Sequence, residues 1–303
     1  MNHGAPGFYG KIPAQGDFVR AGIGDPLAQA LVRWLEEGTA ACYQVAAKIP
    51  PGPTGFLFRP AGERRALLGV LRGSGDKVGR HFPLALFVSL EGPELARDWP
   101  LAPLAHAPLL AAMAALLAEA ETLGAVQLAE RARALPAPPA DALAAAAQAG
   151  RDLANAPLSR ASPLLGGPPG PRHYALHTLR SACAPLRARE PARAEVLLDC
   201  PAPSESERWL WLSLARQVLG GALVPSFAWR EGGRLLLSLG PFPPAALPSL
   251  CEPPRDGSKV WPLTTPQESA QAAAGKALGS LAAQVDRPDI TAGELVAALA
   301  PAR

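Results

Sequence analysis

The chain has 303 residues, 49% of them apolar and 18% charged, with Lys+Arg 29 against Asp+Glu 26 and a formal net charge of +3. That length suits one large domain or two modest ones, and the basic residues are scattered singly, which excludes the footprint of a nucleic-acid or anionic-membrane binder. Four cysteines (Cys42, Cys183, Cys200 and Cys251) form no C-x-x-C pair, so neither a disulfide framework nor a zinc site is expected.

In chain order, Gly7-Phe8-Tyr9-Gly10-Lys11-Ile12-Pro13 reads as a short strand ended by proline. Asp25-Pro26 then opens a helix, with Asp25 as the cap and Pro26 in the first turn. Leu27, Leu31, Trp34 and Leu35 share one helical face, and a break at Gly38 is predicted before the helix resumes to Lys48. Strands follow at Gly55–Arg59, Ala66–Leu71 and Phe82–Leu90. The segment from Arg72 to His81 is too long for a two-residue hairpin and is predicted to be a structured loop.

Helices are predicted over Leu104–Glu121 and Ala125–Ala134. The stretch Leu101–Ala118 is the least polar, but it is Ala-rich and interrupted by Pro103 and Pro108. It reads as a buried helix and not as a membrane span. Residues 123–165, dense in Ala and Pro, read as a helical insertion with semi-rigid joints.

Further on, a helix over His173–Leu186 leads to a buried strand at Ala194–Asp199. Ser204-x-x-Glu207 is a capping-box pattern opening a helix that Gly220-Gly221 ends. Trp209 and Trp211, two apart on that helix, are expected to face different ways, one into the core and one outward. Pro225–Trp229 and Arg234–Leu239 flank Glu231-Gly232-Gly233 as a hairpin. A short strand at Val260–Leu263 precedes Ala-rich helices. Two hairpins without a βαβ rhythm predict an α+β fold, with a mixed, mainly antiparallel sheet covered by helices in a layered α/β sandwich. The expected division is a main domain over 1–265, carrying the insertion near 123–165, and a helical tail over 266–303.

No catalytic set stands out. Gly10-Lys11 lacks the glycine spacing and following Ser/Thr of a Walker A loop, and Gly73-Ser74-Gly75 lacks a full G-x-G-x-x-G. There is no Gly-x-Ser-x-Gly elbow. His173-x-x-x-His177 puts two imidazoles on one helical face but offers no third ligand, so no metal and no cofactor is expected. Met1-Asn2-His3-Gly4 does not begin a basic-then-apolar leader, which leads to an expectation of the cytoplasm.

Two strings carry a resemblance. Phe8-Tyr9-Gly10-Lys11-Ile12-Pro13, followed by Gly16-Asp17-Phe18-Val19-Arg20, resembles the opening of the TagF family of type VI secretion accessory proteins. Asp76-Lys77-Val78-Gly79-Arg80-His81-Phe82-Pro83-Leu84 resembles that family's second signature. The resemblance implies a non-enzymatic cytoplasmic protein that represses assembly or firing post-translationally. It would do so by binding a type VI component, such as a forkhead-associated scaffold protein.

From the residues themselves, two uses of Lys11, Asp17, Arg20, Asp76 and Arg80 are open. An Asp–Arg pair can lock the two loops together, or the five side chains can form a recognition surface. The alternative from another class is a small hydrolase or nucleotide-binding enzyme using the 73–81 loop.

Overall fold

The computed structural model describes residues 1–187, 196–220, 223–230, 232–251 and 260–300. Ala194 and Glu195 of the expected strand, Gly221 at the expected helix end and Glu231 in the expected turn lie outside the described residues.

One sheet of ten strands runs through the molecule. The strands are β1 (Asn2–His3), β2 (Gly7–Gly10), β3 (Val19–Ala21), β4 (Thr54–Phe58), β5 (Ala66–Gly75), β6 (His81–Glu91), β7 (Leu197–Ala202), β8 (Ser226–Arg230), β9 (Gly233–Ser238) and β10 (Val260–Pro262). Their order is β10-β7-β9-β8-β4-β5-β6-β2-β3, with β1 also on β6. Every pairing is antiparallel except β10 with β7. The fold is therefore α+β and mainly antiparallel, as the two hairpins predict. The two halves of the chain join at the centre, where Gly55 of β4 faces Trp229 of β8. A Cβ on Gly55 would fall 2.3 Å from the Trp229 ring, so only glycine leaves room for that indole.

Alternating side chains send the sheet's apolar residues to two cores. On one face Leu68, Val70, Leu84, Leu86 and Val88 pack with Trp99, Met113, Leu176, Trp211 and Leu295 beneath a thick layer of helices. On the other face Leu67, Leu71, Phe56, Phe58, Ala85 and Phe87 meet a thinner layer. That layer consists of the helix Pro26–Gln44 and the short helix Ala246–Cys251.

Several expectations need correction. The helix Pro26–Gln44 is continuous through Gly38. A Cβ there would come within 2.9 Å of Leu247 Cβ, so this glycine admits the neighbouring helix and does not break its own. The strands β5 and β6 continue their ladder to the pair Gly75↔His81, which leaves only Asp76–Arg80 as the connection. Trp209 and Trp211 are both buried, because the helix Glu205–Leu219 is enclosed on nearly all sides. The predicted helix over Leu104–Glu121 is cut at His106 into Ala102–Ala105 and Ala107–Glu119. The run Pro93–Ala105 bends by 56° against Ala107–Glu119, and among the described residues no single helix is long and apolar enough to cross a membrane.

The caps match the sequence. Asp25 accepts the Leu27 N–H at 2.8 Å, and Ser204 Oγ accepts the Glu207 N–H at 3.2 Å. Gly220 ends its helix in the left-handed region at φ 76°. The helices of residues 268–298 pack back on the body, where Glu268–Leu278 lies against Pro169–Cys183.

Candidate functional site

The β5–β6 turn and the segment after β2 meet at one end of the sheet, and a carboxylate holds them together. Asp76 is 0% exposed at its side chain. Its Oδ1 accepts the backbone N–H groups of Val78 at 3.0 Å and Arg80 at 2.9 Å, and its Oδ2 accepts Arg80 Nε at 2.6 Å and the ammonium of buried Lys11. Burial by itself would raise the carboxyl pKa. The bonds from Lys11, the Arg80 backbone, the Arg80 guanidinium and the Val78 backbone outweigh it and hold Asp76 well below the usual carboxylate range.

The turn itself follows from its residues. Asp76 accepts from the N–H groups two and four positions on, an aspartate's usual way of closing a turn on itself. Gly79 takes φ 83°, which a residue with a Cβ resists. Three further bonds tie the turn to the first string. Arg80 Nη2 donates to Gly16 O at 2.6 Å, Lys77 N to Gln15 O at 3.0 Å, and Ser74 Oγ to Lys11 O at 2.8 Å.

The two strings thus converge, but through different partners from the Asp–Arg lock between loops. Asp76 and Arg80 pair within one turn, and the cation crossing from the first string is Lys11. Asp17 and Arg20 stay outside this network on the exposed surface. A recognition surface that includes Lys11 needs it exposed, yet its side chain is only 7% exposed. Arg80, at 62%, shows one edge of its guanidinium to solvent.

An aromatic cluster that no local pattern announces lies beside this network. Phe18 stacks on Tyr9 with centroids 5.1 Å apart and meets Phe82 edge-on at 4.8 Å. The Lys11 ammonium lies 4.9 Å from the Phe18 ring. Tyr9 donates its hydroxyl to Glu36 at 2.7 Å, and burial followed by that carboxylate pushes its pKa up. The signal was present as three aromatic residues, one in each signature piece, but their meeting depends on the pairing of β2 with β3 and β6.

Beside the turn opens a cleft of about 890 Å³. Its walls are the last turns of the helix Pro26–Gln44 and residues 46–51 on one side, and the ends of β5 and β6 on the other. Most of the lining is apolar, with Cys42, Ala47, Ile49, Pro51 and Phe82 among it. Three polar groups of the lining are already engaged. Asp76 has its bonds satisfied, Ser74 donates to a backbone carbonyl, and Glu121 is paired with Arg72 at 2.5 Å. His173 and His177 do not converge either. His173 Nε2 lies 3.0 Å from Asp286 and His177 lies 3.5 Å from Ser181. Among the described residues no group of three His, Cys, Asp or Glu side chains is gathered as metal ligands would be.

Known proteins resemble this chain as follows. The TagF N-terminal domain family, described as type VI secretion system-associated, matches residues 7–135. Comparison with curated proteins found no match. Among solved structures, PA0076 from Pseudomonas aeruginosa PAO1 is similar, at 18% identity over 85% of this chain and 99% of that one, with a TM-score of 0.48.

Proposed function

We propose that this chain, whose residues 7–135 match the type VI secretion-associated TagF N-terminal domain family that the two strings resemble, is a non-enzymatic, cytoplasmic accessory protein of that machine. It acts as a post-translational repressor of assembly or firing by binding a scaffold component such as a forkhead-associated protein. The binding face is the end of the sheet where the two strings meet.

One observation carries the non-enzymatic reading. Asp76, the residue best placed to act as an acid or base, spends its oxygens on Lys11, Arg80 and two backbone N–H groups. A carboxylate bonded this way builds a rigid turn and has no lone pair aimed at a substrate. What the turn then offers to a partner is Lys77, Val78 and the outer edge of Arg80, with Phe18 and Arg20 alongside. Rigid loops on a sheet scaffold suit recognition, since little entropy is lost on docking.

The test is retention of type VI components by the tagged protein from its native cell extract. Wild type is expected to retain a forkhead-associated protein, and the exposed variant Arg20→Glu to lose it at an unchanged melting temperature. If wild type retains no type VI component, the reading is wrong. Turnover of a nucleotide or ester substrate that Asp76→Asn abolishes would favour the enzyme instead.

A further inference from the structure

The cleft beside the signature turn has the makings of a docking site of defined chemistry. Its floor is apolar and its volume of about 890 Å³ is that of a ligand site. Large exposed apolar side chains gather near it. Of six among the described residues, Tyr43 at 60% lines it, and Val45 at 41% and Val78 at 70% are next in sequence to the lining residues Ala46 and Gly79. Such a concentration marks an interaction surface.

Charge decides what kind of occupant fits. The anions at the cleft are already neutralised from within the chain, Asp76 by Lys11 and Arg80 and Glu121 by Arg72. The cation Lys48 is an exposed lining residue, as is His81. The mouth therefore presents positive charge around an apolar hole, which attracts a segment carrying carboxylates and repels a basic one. A concave site with one lysine among its described lining residues does not suit a membrane surface, which rewards a broad array of several basic residues.

We propose that this cleft docks an acidic partner segment, seating a pair of bulky apolar side chains between Ala47 and Phe82 while flanking carboxylates meet Lys48 and His81. The inference rests on the reading of the chain as a binding protein and names the chemistry of what it binds.

Fluorescence anisotropy with two labelled peptides tests it, each with a leucine–phenylalanine core, one flanked by aspartates and the other by lysines. The aspartate peptide is expected to bind saturably and the lysine peptide at least about tenfold more weakly, a difference of 1.4 kcal/mol. Ala47→Trp, which fills the cleft, is expected to weaken the aspartate peptide by about tenfold or more. Lys48→Glu changes only an exposed charge, so it keeps the test sound should the tryptophan disturb folding, and it is expected to weaken binding about fivefold.

Equal binding of the two peptides, or wild-type affinity in both variants, would overturn the proposal. So would sedimentation with phosphatidylcholine–phosphatidylserine vesicles that the aspartate peptide fails to compete, or dimerisation of wild type that both variants abolish. The same variants separate this idea from the broader one. A type VI component retained equally by wild type and both variants removes the cleft but leaves the function. Peptide binding as expected without any retained type VI component upholds the cleft and removes the function.

Discussion

The two faces of the sheet are built to different depths. One is roofed by helices drawn from residues 93–183, 205–219 and 268–298, and its core holds Trp99 and Trp211, both at 1% exposure or less. The other carries only the helix Pro26–Gln44 and the short helix Ala246–Cys251, and where the first of these ends the sheet's last strands are left to line a cleft. The difference separates stability from recognition within one sheet. A fully roofed face has no surface left to offer, whereas a partly roofed one leaves apolar side chains where a partner can reach them. The ionic network at Asp76 sits at the boundary and stiffens the open rim.

The comparison is broken most directly on the roofed side. Trp211→Ala is expected to cost about 3–5 kcal/mol, as large-to-small changes of buried aromatics do. It also strands the Pro201 carbonyl that now accepts Trp211 Nε1 at 2.7 Å. Urea unfolding measures it, and a cost near zero would mean that the thick layer is not the stabilising one.

Asp76 comes next. Its folded-state pKa is depressed, so its ionised form stabilises the fold above the ordinary aspartate pKa of about 3.9, and that stability is lost as pH falls toward the folded value. Stability followed from neutrality into this acid range should fall more steeply for wild type than for Asp76→Asn, which has no such proton to take up. At neutral pH the same variant should be less stable than wild type, since Lys11 keeps its charge in a buried place without its partner. Parallel acid slopes would show that the network carries no stability.

Much of this fold is legible along the chain because its determinants are local. Asp25-Pro26, Ser204-x-x-Glu207 and the turn around Gly232 each specify a boundary within a few residues. What escapes is whatever depends on a distant neighbour. Gly38 looks like a helix breaker until Leu247 is seen against it. One of Trp209 and Trp211, two apart on a helix, looks outward-facing, yet both are buried. Arg72 to Gly75 look like loop because glycines weaken the strand signal, although β6 pairs them residue by residue. At the site the sequence points to Lys11, Asp76 and Arg80, but the Asp–Arg pair forms within one turn and leaves Asp17 and Arg20 on the exposed surface. Nothing local announces that Lys11, 65 positions from Asp76, is the cation that reaches it.

Smaller effects sharpen the comparison on the thin side. Asp25→Ala removes the cap of the helix that forms this layer, together with its bidentate contact to Arg65 at 2.5 and 3.1 Å. A cost of about 1 kcal/mol is expected, the usual size for a lost cap. Gly38→Ala sets two effects of opposite sign against each other. Helix propensity favours alanine by about 1 kcal/mol. The new methyl, however, meets Leu247 Cβ at 2.9 Å, an atom close to the backbone that cannot swing aside. Net destabilisation is expected in urea unfolding, and a gain would show that the short helix Ala246–Cys251 is free to shift.

The smallest expected effect is on the open rim itself. Tyr43 is 60% exposed, and its hydroxyl donates to the His81 carbonyl at 2.7 Å from the surface. Val78 is 70% exposed at the tip of the turn. Replacing both by serine removes mostly exposed apolar area and one solvent-exposed hydrogen bond, so stability should change by less than about 0.5 kcal/mol. That near-silence is the informative result. Large apolar side chains whose removal leaves the fold as stable as before are doing nothing for it. If the double variant also loses the retained partner, the open face holds its tyrosine and valine for binding alone. A cost of several kcal/mol in the same unfolding experiment would instead make them part of the core, and the contrast between the two faces would fail.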